Sequence, residues 1–234
     1  MCLAKSLLED RGFAVIIIDP SECLIKDGNL YHGSAPIDLV YNRLTDFALS
    51  ESQNTVIQRA YLEDAAVVTP APHTHALFAD KRNLISLSDS KFLTHIGAAP
   101  EQIRHLSFIP KTALVTEETA DKMWAERKKL FFKPEAGFGS RGAFRGAKLT
   151  KKVWQDILKG GYIAQERVSP PLRAVTVNDE KTALKFDLRV YTYDGEPLLF
   201  AARVYQGQTT NLRTNGGGLA AVVQVADGLT CVQI

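Results

Sequence analysis

Hydrophobic and polar positions along this chain follow three rhythms, and each predicts a different element. Helical spacing opens it: Leu3, Leu7 and Leu8 share one face of Met1–Arg11, and Gly12 stops the helix. The β-branched run Phe13–Ile18 is continuous, which predicts a strand buried on both faces in a parallel sheet. Leu24-Ile25 and Leu30-Tyr31 flank Lys26-Asp27-Gly28-Asn29, a hairpin signal. Ile37–Tyr41 predicts another buried strand, Thr55–Leu62 a helix with Asn54 as N-cap, and Ala65–Thr69 a strand closed by Pro70 and Pro72. Together these predict a doubly wound, Rossmann-like α/β unit over residues 1–75. Such a unit ordinarily starts on a strand, so the opening helix fits either a longer natural form with residues upstream or an edge already completed otherwise.

Beyond residue 75 helical and strand-like stretches alternate. Phe78-Ala79-Asp80-Lys81 opens a helix with Asp80 as N-cap, and Leu84, Ile85, Leu87, Phe92, Leu93 and Ile96 lie at helical spacing up to Gly97. Glu101–Leu106 predicts a short helix, Ile109–Val115 a strand, Thr119–Lys129 a helix and Leu130–Lys133 a strand. Val153–Leu158 is a further helix and Tyr162–Glu166 a further strand. Lys185–Tyr191 alternates strictly, Asp194-Gly195 is a turn, and Pro197–Arg203 is the returning strand.

Composition bounds this picture without changing it. The 234 residues suffice for one or two domains with a real core, and 45% hydrophobic against 23% charged residues excludes a disordered chain. A net charge of +2 gives no general affinity for nucleic acid or acidic membranes. Cys2, Cys23 and Cys231 are odd in number and scattered, which suggests neither a disulfide framework nor a zinc site. No apolar run approaches the roughly 18 residues of a membrane span, so the expectation is a soluble, cytoplasmic protein without a membrane partner. The sequence leaves self-association open.

Charge distribution is more informative than its sum. Ten Lys or Arg fall between Asp121 and Lys152, against Asp121, Glu126 and Glu135. Within that stretch Leu130–Gly146 reads LFFKPEAGFGSRGAFRG. An aromatic strand ends in Lys133-Pro134, then Gly137, Gly139 and Gly142 follow, with Ser140 and Arg141 between them, before Ala143-Phe144-Arg145 restores strand character. Glycines let backbone N–H groups turn toward an anion without a Cβ in the way, and Lys133, Arg141 and Arg145 add positive charge. We read a phosphate-gripping loop between two strands. The formal G-x-G-x-x-G match is not a dinucleotide fingerprint, since no helix opens at Gly142. No HRD, DFG or APE follows, which argues against a protein kinase. An ordinary glycine-rich hairpin turn is the plain alternative. Phe131, Phe132, Phe138 and Phe144 could stack bases beside these cations, but the glycine spacing gives no reason for a nucleic-acid partner.

Arg43 stands at the end of a predicted parallel strand, where open α/β sheets bind ligands, and could hold a substrate carboxylate or a surface salt bridge. His73 and His75 have no third metal ligand nearby and read as loop residues.

The order of motifs is similar to that of the ATP-grasp ligases: an α/β unit, Asp80-Lys81 opening a helix, a strand ending Lys133-Pro134, a glycine loop, a helix and a strand ending Gln165-Glu166. The resemblance runs from about Phe78 to Val223 and implies two α+β lobes, at 76–160 and 161–234, that clasp Mg·ATP. Asp187-x-Arg189, the Asp194-Gly195 hairpin, Arg203 and Asn211 with the glycines after it are similar to the glutathione-synthetase and ribosomal-protein-glutamate-ligase branch; Asn211-x-Arg213 partly echoes circularly permuted members. By that resemblance Lys81, Lys133, Arg141 and the Gly137–Gly142 backbone, including Gly139 and Ser140, would hold the phosphates. Gln165, Glu166 and Val168 would line the adenine. Asp187, Gln208 and Asn211 would hold Mg²⁺, with Asp227 as a distant fallback, and Arg203 and Arg189 would act on the transferring phosphoryl group. The implied activity is ATP-dependent joining of a small-molecule carboxylate to an amine through an acyl phosphate. One departure stands out: no E-x-N follows Asn211 and no Glu follows Glu196. A nucleotide-binding or partner-binding module without turnover is therefore the alternative.

Overall fold

The computed structural model describes residues 1–177, 180–207 and 210–223, and the chain divides into two compact units, Met1–Leu87 and Ser88–Ile234. Both mix helices with sheets, and antiparallel pairing predominates.

In the first unit, helix α1 (Cys2–Glu9) precedes a three-stranded antiparallel meander of β1 (Cys23–Lys26), β2 (Asn29–His32) and β3 (Ala35–Ile37). Asp27 and Gly28 both have positive φ, 50° and 76°, as a two-residue hairpin turn needs. Strand β4 (Leu39–Tyr41) pairs in parallel with β5 (Val67–Thr69), and helix α2 (Thr55–Leu62) lies between them in the chain. Leu30, Leu49, Ile57, Ala60, Ala65 and Val68 form the core. Helices α3 (Pro72–Phe78) and α4 (Asn83–Leu87) complete the unit.

This unit corrects the doubly wound expectation. Phe13–Ile18 forms no strand, and Phe13, Ile16 and Ile17 are exposed. The predicted strand Ile37–Tyr41 is broken at Asp38 into β3 and β4, so β4 and β5 are the unit's only parallel pair. Asn54 makes no cap; its side-chain amide donates to the Asp46 carboxylate at 2.9 Å. His73 and His75 lie on α3, not in a loop, and His75 stacks on Phe47.

The second unit opens with helices α5 (Ser90–His95) and α6 (Pro100–Leu106). The single helix expected from Phe78 to Ile96 is interrupted: the Asp80 carboxylate accepts the Arg82 N–H, and Asp89 instead caps α5 through the Lys91 and Phe92 amides. Strands β6 (Thr112–Leu114), β7 (Leu130–Pro134), β8 (Phe144–Arg145) and β9 (Tyr162–Glu166) form one sheet in the order β6-β9-β7-β8. Strand β9 lies inside this sheet, between β6 and β7. Helices α7 (Glu117–Glu126) and α8 (Lys151–Leu158) pack on one face, where Phe132, Ala164, Met123, Trp154 and Ile157 are buried. The Phe132 and Trp154 rings meet edge to face at 5.4 Å, a geometry that aromatic quadrupoles favour.

A second antiparallel sheet runs β10 (Leu172–Val177), β11 (Glu180–Tyr193), β12 (Glu196–Tyr205) and β13 (Gly218–Ala221). The β11–β12 turn falls on Asp194-Gly195, again with positive φ at both residues. Among the described residues no helix is long and apolar enough to cross a membrane.

Candidate functional site

Strand alternation sorts the β6-β9-β7-β8 sheet into two unlike faces. Leu130, Phe132, Phe144 and Ala164 belong to the core face. On the other face register aligns Thr112, Gln165, Phe131 and Arg145 in one row across four strands. Lys133, opposite Ile163, starts the next row on the same face.

A hydrogen-bonded relay links three of these strands. Lys133 Nζ donates to Gln165 Oε1 at 2.7 Å, and Gln165 Nε2 donates to Thr112 Oγ1 at 3.0 Å. The Thr112 hydroxyl donates in turn to the Pro110 carbonyl, and its backbone N–H donates to Ser88 Oγ. Gln165 and Thr112 are buried, so these bonds are sheltered from water and hold the amide in one orientation. Lys133 also lies 5.7 Å from the centre of the Phe131 ring.

The glycine loop begins directly after Lys133-Pro134. Its entry is tied by Glu135 N–H to the Gly161 carbonyl at 2.9 Å, and its exit by a close approach. A Cβ added at Gly142 would stand 3.0 Å from Tyr162 Oη and 3.1 Å from Pro134 Cγ. Between these anchors residues 136–142 are exposed, and Gly137, Gly139, Ser140 and Gly142 all have positive φ, 126°, 62°, 60° and 66°. Left-handed steps can turn backbone N–H groups toward an anion; within the loop the Arg141 N–H is already donated to the Phe138 carbonyl at 3.2 Å. Arg141 is exposed, with its guanidinium over the Phe138 ring at 5.2 Å.

The structure thus joins Lys133 of β7 to Gln165 of β9, and the Gly137–Gly142 loop follows where β7 ends at Pro134. Glu166 and Val168 are exposed beyond the relay, and the Glu166 N–H is spent on the Lys111 carbonyl. Lys81 belongs to the first unit, where burial lowers its pKa while neighbouring Asp80 raises it. Arg43, also in the first unit, is exposed, with its guanidinium over the Tyr41 ring at 5.6 Å.

The second cluster lies on the β11–β12 pair. Asp187 and Arg203 are register partners, and the guanidinium grips the carboxylate with a two-bond fork: Nε to Oδ1 at 2.6 Å and Nη2 to Oδ2 at 2.9 Å. Thr210 adds a hydrogen bond to Oδ2 at 3.1 Å. Asn211 Oδ1 accepts the Arg213 N–H, and Arg189 is exposed opposite Ala201. Gln208 and Asp227 lie outside the described residues.

Two of the three expected Mg²⁺ donors, Asp187 and Asn211, are engaged within the protein. Mg²⁺ wants hard oxygens with at least one available carboxylate. Both Asp187 oxygens are already engaged, its charge is neutralised by Arg203, and Asn211 Oδ1 is occupied by its own turn. Among the described residues no three His, Cys, Asp or Glu side chains gather. As placed, Asp187 and Asn211 do not fit a resident Mg²⁺, and the third expected donor, Gln208, lies outside the described residues.

No protein-family model matches the chain, and no curated protein matches it. Among solved structures it is similar to one described as ATP-grasp ligase PsnB complexed with minimal precursor, with a TM-score of 0.45 and 16% identity, covering 87% of this chain and 72% of that one. A likeness of this degree transfers no residue roles.

Proposed function

We propose that this protein binds ATP on the Lys133 face and joins a carboxylate to an amine, as ATP-grasp ligases do. The observation that carries the proposal is a conjunction along the chain: a cation on β7 bonded to Gln165, followed by an exposed loop with four positive-φ residues. Phosphoryl transfer asks little covalent chemistry of a protein, so positioning and charge neutralisation are what a site must supply. The loop amides and Lys133 would hold the phosphate oxygens. The Gln165 strand and the chain after it, through Glu166 and Val168, would border the adenine.

In the proposed reaction the substrate carboxylate attacks the γ-phosphorus and ADP leaves, which forms an acyl phosphate. The amine then attacks the acyl carbon, inorganic phosphate departs, and the nitrogen loses a proton to leave an amide. Arg203, held by Asp187, would offer charge to the departing groups. Magnesium would enter on the nucleotide, and nothing here depends on protein ligands for it. The closed Asp187–Arg203 fork equally favours the second reading, a nucleotide-binding module without turnover; release of ADP that needs both an acid and an amine separates the two.

Thermal unfolding with Mg·ATP tests the binding step. At a hundredfold excess over Kd a ligand confined to the folded state adds about 2.7 kcal/mol, so the parent should gain roughly 5 °C or more. Lys133→Met should gain almost nothing. Equal gains in both proteins, or none in the parent, contradict the proposal.

A further inference from the structure

The row Thr112, Gln165, Phe131, Arg145 ends in a side chain whose chemistry is incomplete. Arg145 is half-buried on β8, and its Nε is a buried donor with no hydrogen-bond partner. Among the described residues it makes no ion pair either. A guanidinium cannot shed its proton, so a buried N–H of it without an acceptor is costly and rare in a finished structure. Lys133 stands diagonally across the same face, a neighbour position about 7–8 Å away and somewhat less between Cβ atoms. An anion held between two cations so placed would be attracted by both.

We infer that Arg145 is a phosphate-binding residue of this site, taking two oxygens of one phosphate group through its guanidinium fork while Lys133 takes a neighbouring oxygen. The inference rests on the nucleotide reading above but goes beyond it in separating two arginines that look alike in the sequence. Arg141 rides on the exposed loop and reaches any anion only as the loop moves. Arg145 is fixed by the sheet, because Gly146 beside it is buried where an added Cβ would stand 1.9 Å from the Arg127 carbonyl oxygen. A planar fork on a rigid strand suits bidentate phosphate recognition, and a lysine there would not replace it.

The test compares the parent with Arg145→Met by calorimetry and thermal unfolding, using tripolyphosphate, ADP and adenosine as probes. Without ligand, Arg145→Met should melt no lower than the parent, because no hydrogen bond is lost. Its affinity for tripolyphosphate and for ADP should fall about tenfold or more, the effect of losing a charged hydrogen bond, while its affinity for adenosine is unchanged. Arg145→Lys should bind both anions more weakly than the parent. Equal tripolyphosphate affinity in parent and Arg145→Met overturns the inference and leaves the nucleotide proposal standing, as does a parent that binds ADP but not tripolyphosphate. A parent that binds tripolyphosphate through Arg145 yet takes ADP no better upholds the inference and removes the nucleotide proposal. A large loss of ligand-free stability in Arg145→Met would show a structural arginine and overturn the inference.

Discussion

The two polar clusters of the second unit use similar residues to opposite ends. On the β11–β12 pair, Asp187 and Arg203 satisfy each other through a bidentate fork that Thr210 reinforces. On the β7 face, Lys133 donates to the neutral Gln165 amide, and the buried Arg145 Nε has no hydrogen-bond partner. A closed cluster serves the fold or aims one of its members. A cluster with donors to spare is poised for an acceptor from outside, and positive donors select an anion.

The harshest way to break this comparison is to remove the scaffold of one cluster alone. Gly146→Ala would drive a methyl group into the Arg127 backbone, at 1.9 Å from its oxygen, where no flexible side chain can yield. We expect a loss of about 3 kcal/mol or more, with the β10–β13 sheet untouched in its own contacts. Chemical denaturation reads it; a variant as stable as its parent would mean that β8, and Arg145 with it, is not pinned.

A smaller effect extends the comparison to a closed cluster in the first unit. Asp46 is buried, and burial pushes its carboxyl pKa up, but hydrogen bonds from Asn54, from the Glu51 and Ser50 amides and from the Ser50 hydroxyl prevail and hold it below its ordinary 3.8. A depressed pKa in the folded state means that the stabilisation is complete above the unfolded value and is lost as pH falls through the folded one. Asp46→Asn should therefore cost about 2 kcal/mol near neutrality, and the gap between parent and variant should narrow below pH 4. A gap that stays constant down to pH 2 would remove the carboxylate from the account.

Local chemistry was legible in the sequence, while pairing across strands was not. Asp27-Gly28 and Asp194-Gly195 turned where a two-residue hairpin needs positive φ, and Leu130–Gly146 became strand, glycine loop and strand as its composition predicts. Phe13–Ile18 misled because an apolar run marks a preference for burial without showing that a neighbour exists to supply it. Strands β10 and β13 went unforeseen, since Leu172–Val177 and Gly218–Ala221 are ordered by pairing more than by their own pattern. The Lys133–Gln165 bond spans 32 residues, and only the register of β7 with β9 brings its ends together. The Asp187–Arg203 fork was illegible for the same reason: the two residues face each other only once the hairpin closes.

The central claim is that residues 136–142 close their backbone amides on phosphate. Amide hydrogen exchange followed with and without Mg·ATP addresses it directly. The account predicts that exchange in Ala136–Gly142 slows by about tenfold or more at saturating nucleotide, since each bound N–H must first release its phosphate oxygen, while Asp194-Gly195 exchanges as before. Unchanged exchange across 136–142 at a nucleotide concentration that demonstrably saturates the protein would contradict it.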